Sequence, residues 1–253
     1  MPIQSIEPRR LYRQIADQIR TLIRSGEFSA GSRLPPERDL ARQLGVSRPS
    51  VREGLIALEV EGLVEVRIGS GIYVLDASRN GDGRPEHQAL AGPFELLRAR
   101  SVVEGECAAL AARSAKKAQL AAMEESLEMM QKEMEVATPA VNADRLFHLR
   151  VAEGTGNGAL VQVVKMLWEE RSGPLYKQLE HHYESPELWD AALSEHRAIV
   201  NAIAAHEPAA ARAAMQRHLN QAYKRFRQPL DKSRVAATEP RRDEMHEATR
   251  SQW

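Results

Sequence analysis

Asp144 and His148 lie four residues apart in ADRLFHLRVAE, so on a helix their side chains share one face, beside Phe147 and Val151. His196, in LWDAALSEHRAIVNAIAA, and His218, in AAMQRHLNQAYKRF, border the apolar stripes of two further helical stretches. One carboxylate and three imidazoles on three facing helices make a donor set for a divalent metal ion. Taken singly, each histidine reads more readily as a satisfied core or surface residue; the set is what points to metal. His181 and His182 are adjacent, diverge by about 100° on a helix and do not face one site together. Neutral imidazoles with one carboxylate suit zinc, with nickel and manganese as the alternatives.

A second group has different chemistry. Ser47, Arg48, Ser50 and Arg52 crowd the start of the helical stretch SRPSVREGLIALE. The positive pole of a helix disfavours cations, so two arginines there call for a negative partner outside. Arginine's planar fork grips guanine O6 and N7 or a phosphate, and hydroxyls and helix N-termini bind phosphate. Arg48 and Arg52 fall on one helical face, and Arg38 opens the preceding short helix. A solvated arginine face is the alternative for this pattern alone. Residues 1–75 contain no lysine; the first is Lys116.

The elements that position these groups follow from periodicity. Residues 10–25 carry Leu11, Ile15, Ile19, Leu22 and Ile23 at helical spacing and end at Gly26. GEFSAGSRLPPE reads as a turn region, residues 37–43 as a short helix closed by Gly45, and Ser47 as the N-cap of the next helix. Val51, Leu55 and Leu58 face inward. Leu63–Arg67 and Ile72–Val74 flank Gly69-Ser70-Gly71 as a two-stranded hairpin. Helix, helix, glycine turn, helix and wing make a winged helix-turn-helix, whose third helix enters the major groove while the small wing turn at Gly69 lies against the minor groove.

Residues 76–92 are rich in Gly, Asp and Pro and read as a linker. Residues 93–228 are Ala/Leu-rich with helical periodicity, broken near 114–117, 138–140, 154–158, 171–174, 184–187 and 206–209, which gives six or seven helices in a bundle. Residues 229–253 are charged and irregular and are expected to be disordered. The fold class is therefore mainly α: a DNA-binding domain over 1–75 and an all-α domain after the linker. The 253 residues balance 35 basic against 35 acidic groups, so the chain as a whole is no polycation. No stretch approaches the roughly 18 apolar residues of a membrane span, and the N-terminus lacks an apolar signal core. With Cys107 as the single cysteine, a cytoplasmic location is expected.

Three runs carry a resemblance: RLPPERDLA (Arg33–Ala41), LGVSRPSVRE (Leu44–Glu53) and LEVEGLV (Leu58–Val64). They resemble the GntR family of bacterial transcription regulators, and the helical half is similar to the FadR-type ligand-binding (FCD) domain. The likeness implies that Arg38, Arg48 and Arg52 contact operator DNA with Ser47 and Ser50, and that Gly69 belongs to the wing. Pro49 departs from the pattern, standing where other members often carry threonine. The likeness also implies that Asp144, His148, His196 and His218 ligate a divalent metal, and that Arg100 offers a fork to a carboxylate effector at the open coordination positions. From the residues alone, an i,i+4 salt bridge to Glu104 is an equal reading of Arg100. Gly71–Leu75 and GPFELL (Gly92–Leu97) followed by Ala99-Arg100 are similar to the hexuronate-utilisation repressors of this subfamily, which respond to glucuronate, galacturonate or fructuronate.

The expected function is a homodimeric, effector-controlled repressor that binds double-stranded operator DNA, and not an enzyme. The alternatives are a metal-dependent enzyme fused to a DNA-binding module, a regulator of another organic acid with a structural metal, and a constitutive architectural DNA binder. Against the enzyme, the proposed ligands have no additional general base beside them, and Cys107 is followed by Ala108-Ala109-Leu110 with nothing to activate it.

Overall fold

The computed structural model describes residues 10–67, 69–76, 91–135, 141–183 and 185–228. The tail 229–253, most of the linker and the break at 138–140 lie outside the described residues.

Helix α1 (Leu11–Arg24) packs on α3 (Arg48–Val60), with α2 (Glu37–Leu44) between them in sequence. The buried stripe of α1 is Tyr12, Ile15, Ala16, Ile19 and Ile23. Leu11 and Leu22 leave the expected stripe, at 47% and 38% exposed, because each stands one residue, about 100°, away from the buried row. Close crossing of α1 and α3 depends on Gly54, where an added Cβ would lie 2.8 Å from Ile15 Cγ2. Gly45 ends α2 in the left-handed conformation, φ 65°, which glycine adopts without steric cost. Ser47 caps α3 by accepting from the Ser50 N–H at 3.3 Å. Val51, Leu55 and Leu58 are fully buried.

Strands β1 (Val64–Arg67) and β2 (Gly71–Val74) form the wing, in antiparallel register from Val64↔Val74 to Arg67↔Gly71. The stretch expected as a plain turn adds a third backbone to this sheet. Gly31 N–H donates to Val74 O, Leu34 N–H to Ile72 O, and Val74 N–H to Ser32 O, at 2.8–2.9 Å. An alternating pattern is not visible there because the pairing is brief and ends at Pro35-Pro36.

Among the described residues seven helices follow: α4 (Pro93–Ser114), α5 (Lys117–Glu135), α6 (Val141–Glu153), α7 (Gly158–Arg171), α8 (Pro174–His181), α9 (Pro186–Ala204) and α10 (Pro208–Phe226). Helix α4 runs along α10 and touches α6, α7 and α9, which places it at the middle of the bundle. One cluster of buried apolar residues runs from Tyr12 to Phe226, because α3 packs against α8 and joins the two halves, and Cys107, Ala152, Val164 and Trp168 form a second, smaller cluster.

Candidate metal centre and nucleic-acid interface

Helices α6, α9 and α10 bring Asp144, His148, His196 and His218 together, all buried, with one potential ligand atom from each within 4.8 Å of the others. His148 Nε2 and His196 Nε2 are 3.3 Å apart, and Asp144 Oδ1 lies 3.4 Å from the first and 3.2 Å from the second. Metal bonds of about 2.0–2.2 Å at tetrahedral or octahedral angles hold ligand atoms about 3.0–3.5 Å apart, so these spacings fit a divalent ion. Asp144 Oδ1 and His196 Nδ1 are buried without a hydrogen-bond partner among the described residues. An orphaned carboxylate oxygen facing two imidazole nitrogens is the donor set a cation satisfies.

The outer nitrogens are held by two carboxylates. Glu195 Oε2 accepts from His218 Nδ1 at 2.8 Å, which leaves Nε2 for the site. Glu104 Oε2 pairs with His148 Nδ1, leaving its Nε2 likewise. Such partners fix the ring and its tautomer and raise the basicity of the ligating nitrogen. Burial pushes His196 down and His218 well down, toward the neutral form that ligates metal. At His148 burial acts the same way but is outweighed by the Glu104 charge, and the shift is upward. Glu104 falls to about 2: burial opposes its charge, and Arg100 and His148 overcome it. Asp144 is likewise held well below the usual carboxylate range, where Arg171 and the two histidines outweigh burial.

Next to the cluster is a cavity of about 80 Å³ partly open to solvent, with Arg100, Asp144, Arg171, Tyr176, Trp189, His196, His218 and Phe226 in its walls. Arg100 makes the i,i+4 salt bridge to Glu104. Its Nε donates to Glu104 Oε1 at 2.6 Å, and it also lines the cavity. Arg171 Nη1 donates to Asp144 Oδ2 at 2.9 Å, while its Nε has no hydrogen-bond partner among the described residues. Both guanidinium groups lie over the Trp168 ring, 4.2 and 4.3 Å from its centroid. Glu195, Arg171 and Trp168 are parts of this site that sequence reasoning missed, and Glu195 and Glu104 overturn the expectation that no further basic group stands beside the ligands. Glu195 adjoins a candidate ligand; nothing local marks Arg171 or Trp168.

In the N-terminal domain, Ser47 and Arg48 are exposed at the start of α3. The Arg48 side chain is 45% exposed and 3.7 Å from Glu37, and that of Arg38 is 73% exposed beside Asp39. Ser47 Oγ and Ser50 Oγ are 2.9 Å apart. Gly69, φ 75°, sits at the wing tip. Arg52 is the exception to the expected exposed face. It is 1% exposed, gripped by Glu37 through two nitrogens, and donates to the Phe226 carbonyl. One helical turn beyond Arg48, it points into the seam between α2, α3 and the end of α10, so in this arrangement DNA does not reach it.

Two family profiles match: bacterial regulatory proteins, gntR family, over residues 11–74, and the FCD domain over residues 95–221. The chain belongs to the GntR family of bacterial regulatory proteins. Relatives of this GntR chain include the Uxu operon transcriptional regulator of Escherichia coli (strain K12), 38% identical over 86% of this chain and 87% of the relative. The Exu regulon transcriptional regulator of the same strain is 39% identical over 84% and 83%. Among solved structures, Streptococcus agalactiae GntR aligns over 84% of this chain and 99% of its own, with 25% identity and a TM-score of 0.45. The chain is thus a DNA-binding transcriptional regulator of the GntR/FCD type, related to hexuronate operon regulators, and the enzyme alternative is set aside. No helix among the described residues is long and apolar enough to cross a membrane.

One carboxylate of this regulator titrates far from its usual range. Burial pushes Glu53 of α3 up to about 7; the Phe94 N–H and Arg98 act against that shift, and Glu95 adds to it. A carboxyl raised in the folded state contributes stability that is full below about 4.5 and is lost as pH rises through about 7. Thermal melts across this window should show the loss in the natural chain, and Glu53→Gln should remove that part of the slope. Parallel pH profiles for the two proteins would show that Glu53 is not the group responsible.

Proposed function

We propose that the chain is a cytoplasmic, homodimeric repressor whose FCD domain binds a hexuronate-class sugar acid at a divalent metal ion. Zinc suits the ligands Asp144, His148, His196 and His218, with nickel and manganese as alternatives. The observation that carries the reading is one cavity with three of these ligands, Asp144, His196 and His218, and with Arg100 and Arg171 in its walls. A bound metal supplies a Lewis-acidic anchor for an anionic oxygen. The chain's own part is to orient the acid: Arg100, stacked on Trp168 and held by Glu104 through Nε and Nη2, turns its charge to the carboxylate, and Tyr176, Trp189 and Phe226 narrow the cavity. On the DNA side, Arg38, Ser47, Arg48 and Ser50 face the operator, Gly69 approaches the minor groove, and Arg52 joins them in a second arrangement of α3. Two such heads in a dimer read a two-fold symmetric site.

The test uses a duplex selected by the protein from a randomised DNA library. Glucuronate, galacturonate or fructuronate should change duplex affinity by about 5- to 150-fold, in the direction of release. The same acid should raise the melting temperature, and a chelator should remove both effects. A response to short carboxylates alone, or to hexuronates after chelation, would refute the effector reading.

A further inference from the structure

The recognition helix α3 is tied to the effector bundle at three helix ends, and two of the ties, those of Arg52 and Glu53, match the sign of the end they meet. Arg52 donates to the carbonyl of Phe226, the last residue of α10, where carbonyls lack helical partners and the pole is negative. Glu53, the next residue, accepts from the Phe94 N–H at 2.9 Å in the first turn of α4, the positive pole. Gly92 makes room for it, since a Cβ there would lie 2.6 Å from Glu53 Oε1. Glu59 Oε2 meets Nε2 of His182, the C-cap of α8, at 2.6 Å. The same α10 end forms part of the cavity: the Phe226 ring is in its wall, packed 5.7 Å from Tyr176 and 5.5 Å from Tyr183. Tyr183 in turn donates to the Gln228 carbonyl at 2.7 Å.

We propose that these ties form an autoinhibitory latch: the arrangement described is the DNA-incompetent one, with Arg52 withheld from DNA by Glu37 and the end of α10. The inference rests on the reading of α3 as the DNA-contacting helix and of the cavity as the effector site. A guanidinium that is fully buried between a carboxylate and a carbonyl does not also reach a phosphate or a base. Occupation of the cavity against Phe226 favours the docked state, and an empty cavity lets α10 release Arg52. An effector shifts this balance only through its different affinity for the two states.

His182→Ala and the milder Glu59→Gln test the latch, because neither residue is among the proposed DNA contacts or metal ligands, and the amide of the second variant keeps an oxygen for the Val66 N–H of the wing that Glu59 Oε1 accepts from at 2.9 Å. Affinity for the duplex selected by the natural chain is measured by anisotropy at fixed salt, because salt alone moves such affinities. Amide exchange at Phe94 is followed in parallel, with melting temperature and zinc stoichiometry as fold controls. The latch predicts faster Phe94 exchange and about 5-fold or greater tightening on DNA in both variants, larger for His182→Ala. Faster exchange with unchanged or weaker DNA binding overturns the latch and leaves the regulator reading standing. Unchanged exchange in both folded variants also overturns it. If the natural chain selects no duplex at all, the regulator reading fails and the latch with it.

Discussion

Zinc added to chelator-treated protein should raise its unfolding free energy by about 2.7 kcal/mol at a hundredfold excess over Kd. The gain comes from mass action, because the four ligands converge only in the folded chain. Asp144 on α6, His196 on α9 and His218 on α10 are separated by up to 74 residues (218 − 144) along the sequence. His196→Ala should abolish the response, and elemental analysis should then find no stoichiometric metal. Glu195→Gln should keep the site but weaken it by about 10- to 100-fold, because it loosens only the hold on His218 Nδ1. Stoichiometric metal in purified His196→Ala would show that the ligand set is wrong.

Trp168→Ala should cost about 3–5 kcal/mol of stability, measured by urea denaturation of the chelated protein so that metal binding does not contribute. The ring is 1% exposed, lies 5.1 Å from His148 and supports both Arg100 and Arg171. Truncation leaves a cavity and removes the surface that fixes two buried guanidinium groups. Each keeps a carboxylate partner, Glu104 or Asp144, so neither becomes an unpaired buried charge, and the cost stays in the range of a lost aromatic. A loss below about 1 kcal/mol would show that the bundle collapses into the vacated space and that the ring does not organise the cavity.

What could be read from the chain by itself was whatever repeats over one or two helical turns. The Asp144/His148 pair, the Ser47 cap, the Gly45 stop and the breaks between α4 and α5, α6 and α7, and α9 and α10 are local consequences of a 3.6-residue period and of backbone preference. The hairpin was legible for the same reason, through Gly69-Ser70-Gly71 between alternating strands. The third backbone of the wing was not, because Gly31–Leu34 pairs with residues about 40 positions away without a pattern of its own. Periodicity also left Leu11 and Leu22 ambiguous by one position, and only the packing of α1 on α3 decided which row is buried.

Long-range packing decided the rest. That Arg171, from α7, neutralises Asp144 depends on how α6 and α7 cross, and that Arg52 ends at Phe226 depends on contact between residues 174 apart. A sequence shows that Arg48 and Arg52 share a helical face. It does not show which of them is covered, since burial is set by the element that arrives from elsewhere, here the C-terminus of α10. Identity and local geometry therefore follow from short-range chemistry, and the pairing of buried charges from the fold, because a charge taken out of water takes its partner from whatever the tertiary structure brings within hydrogen-bond distance.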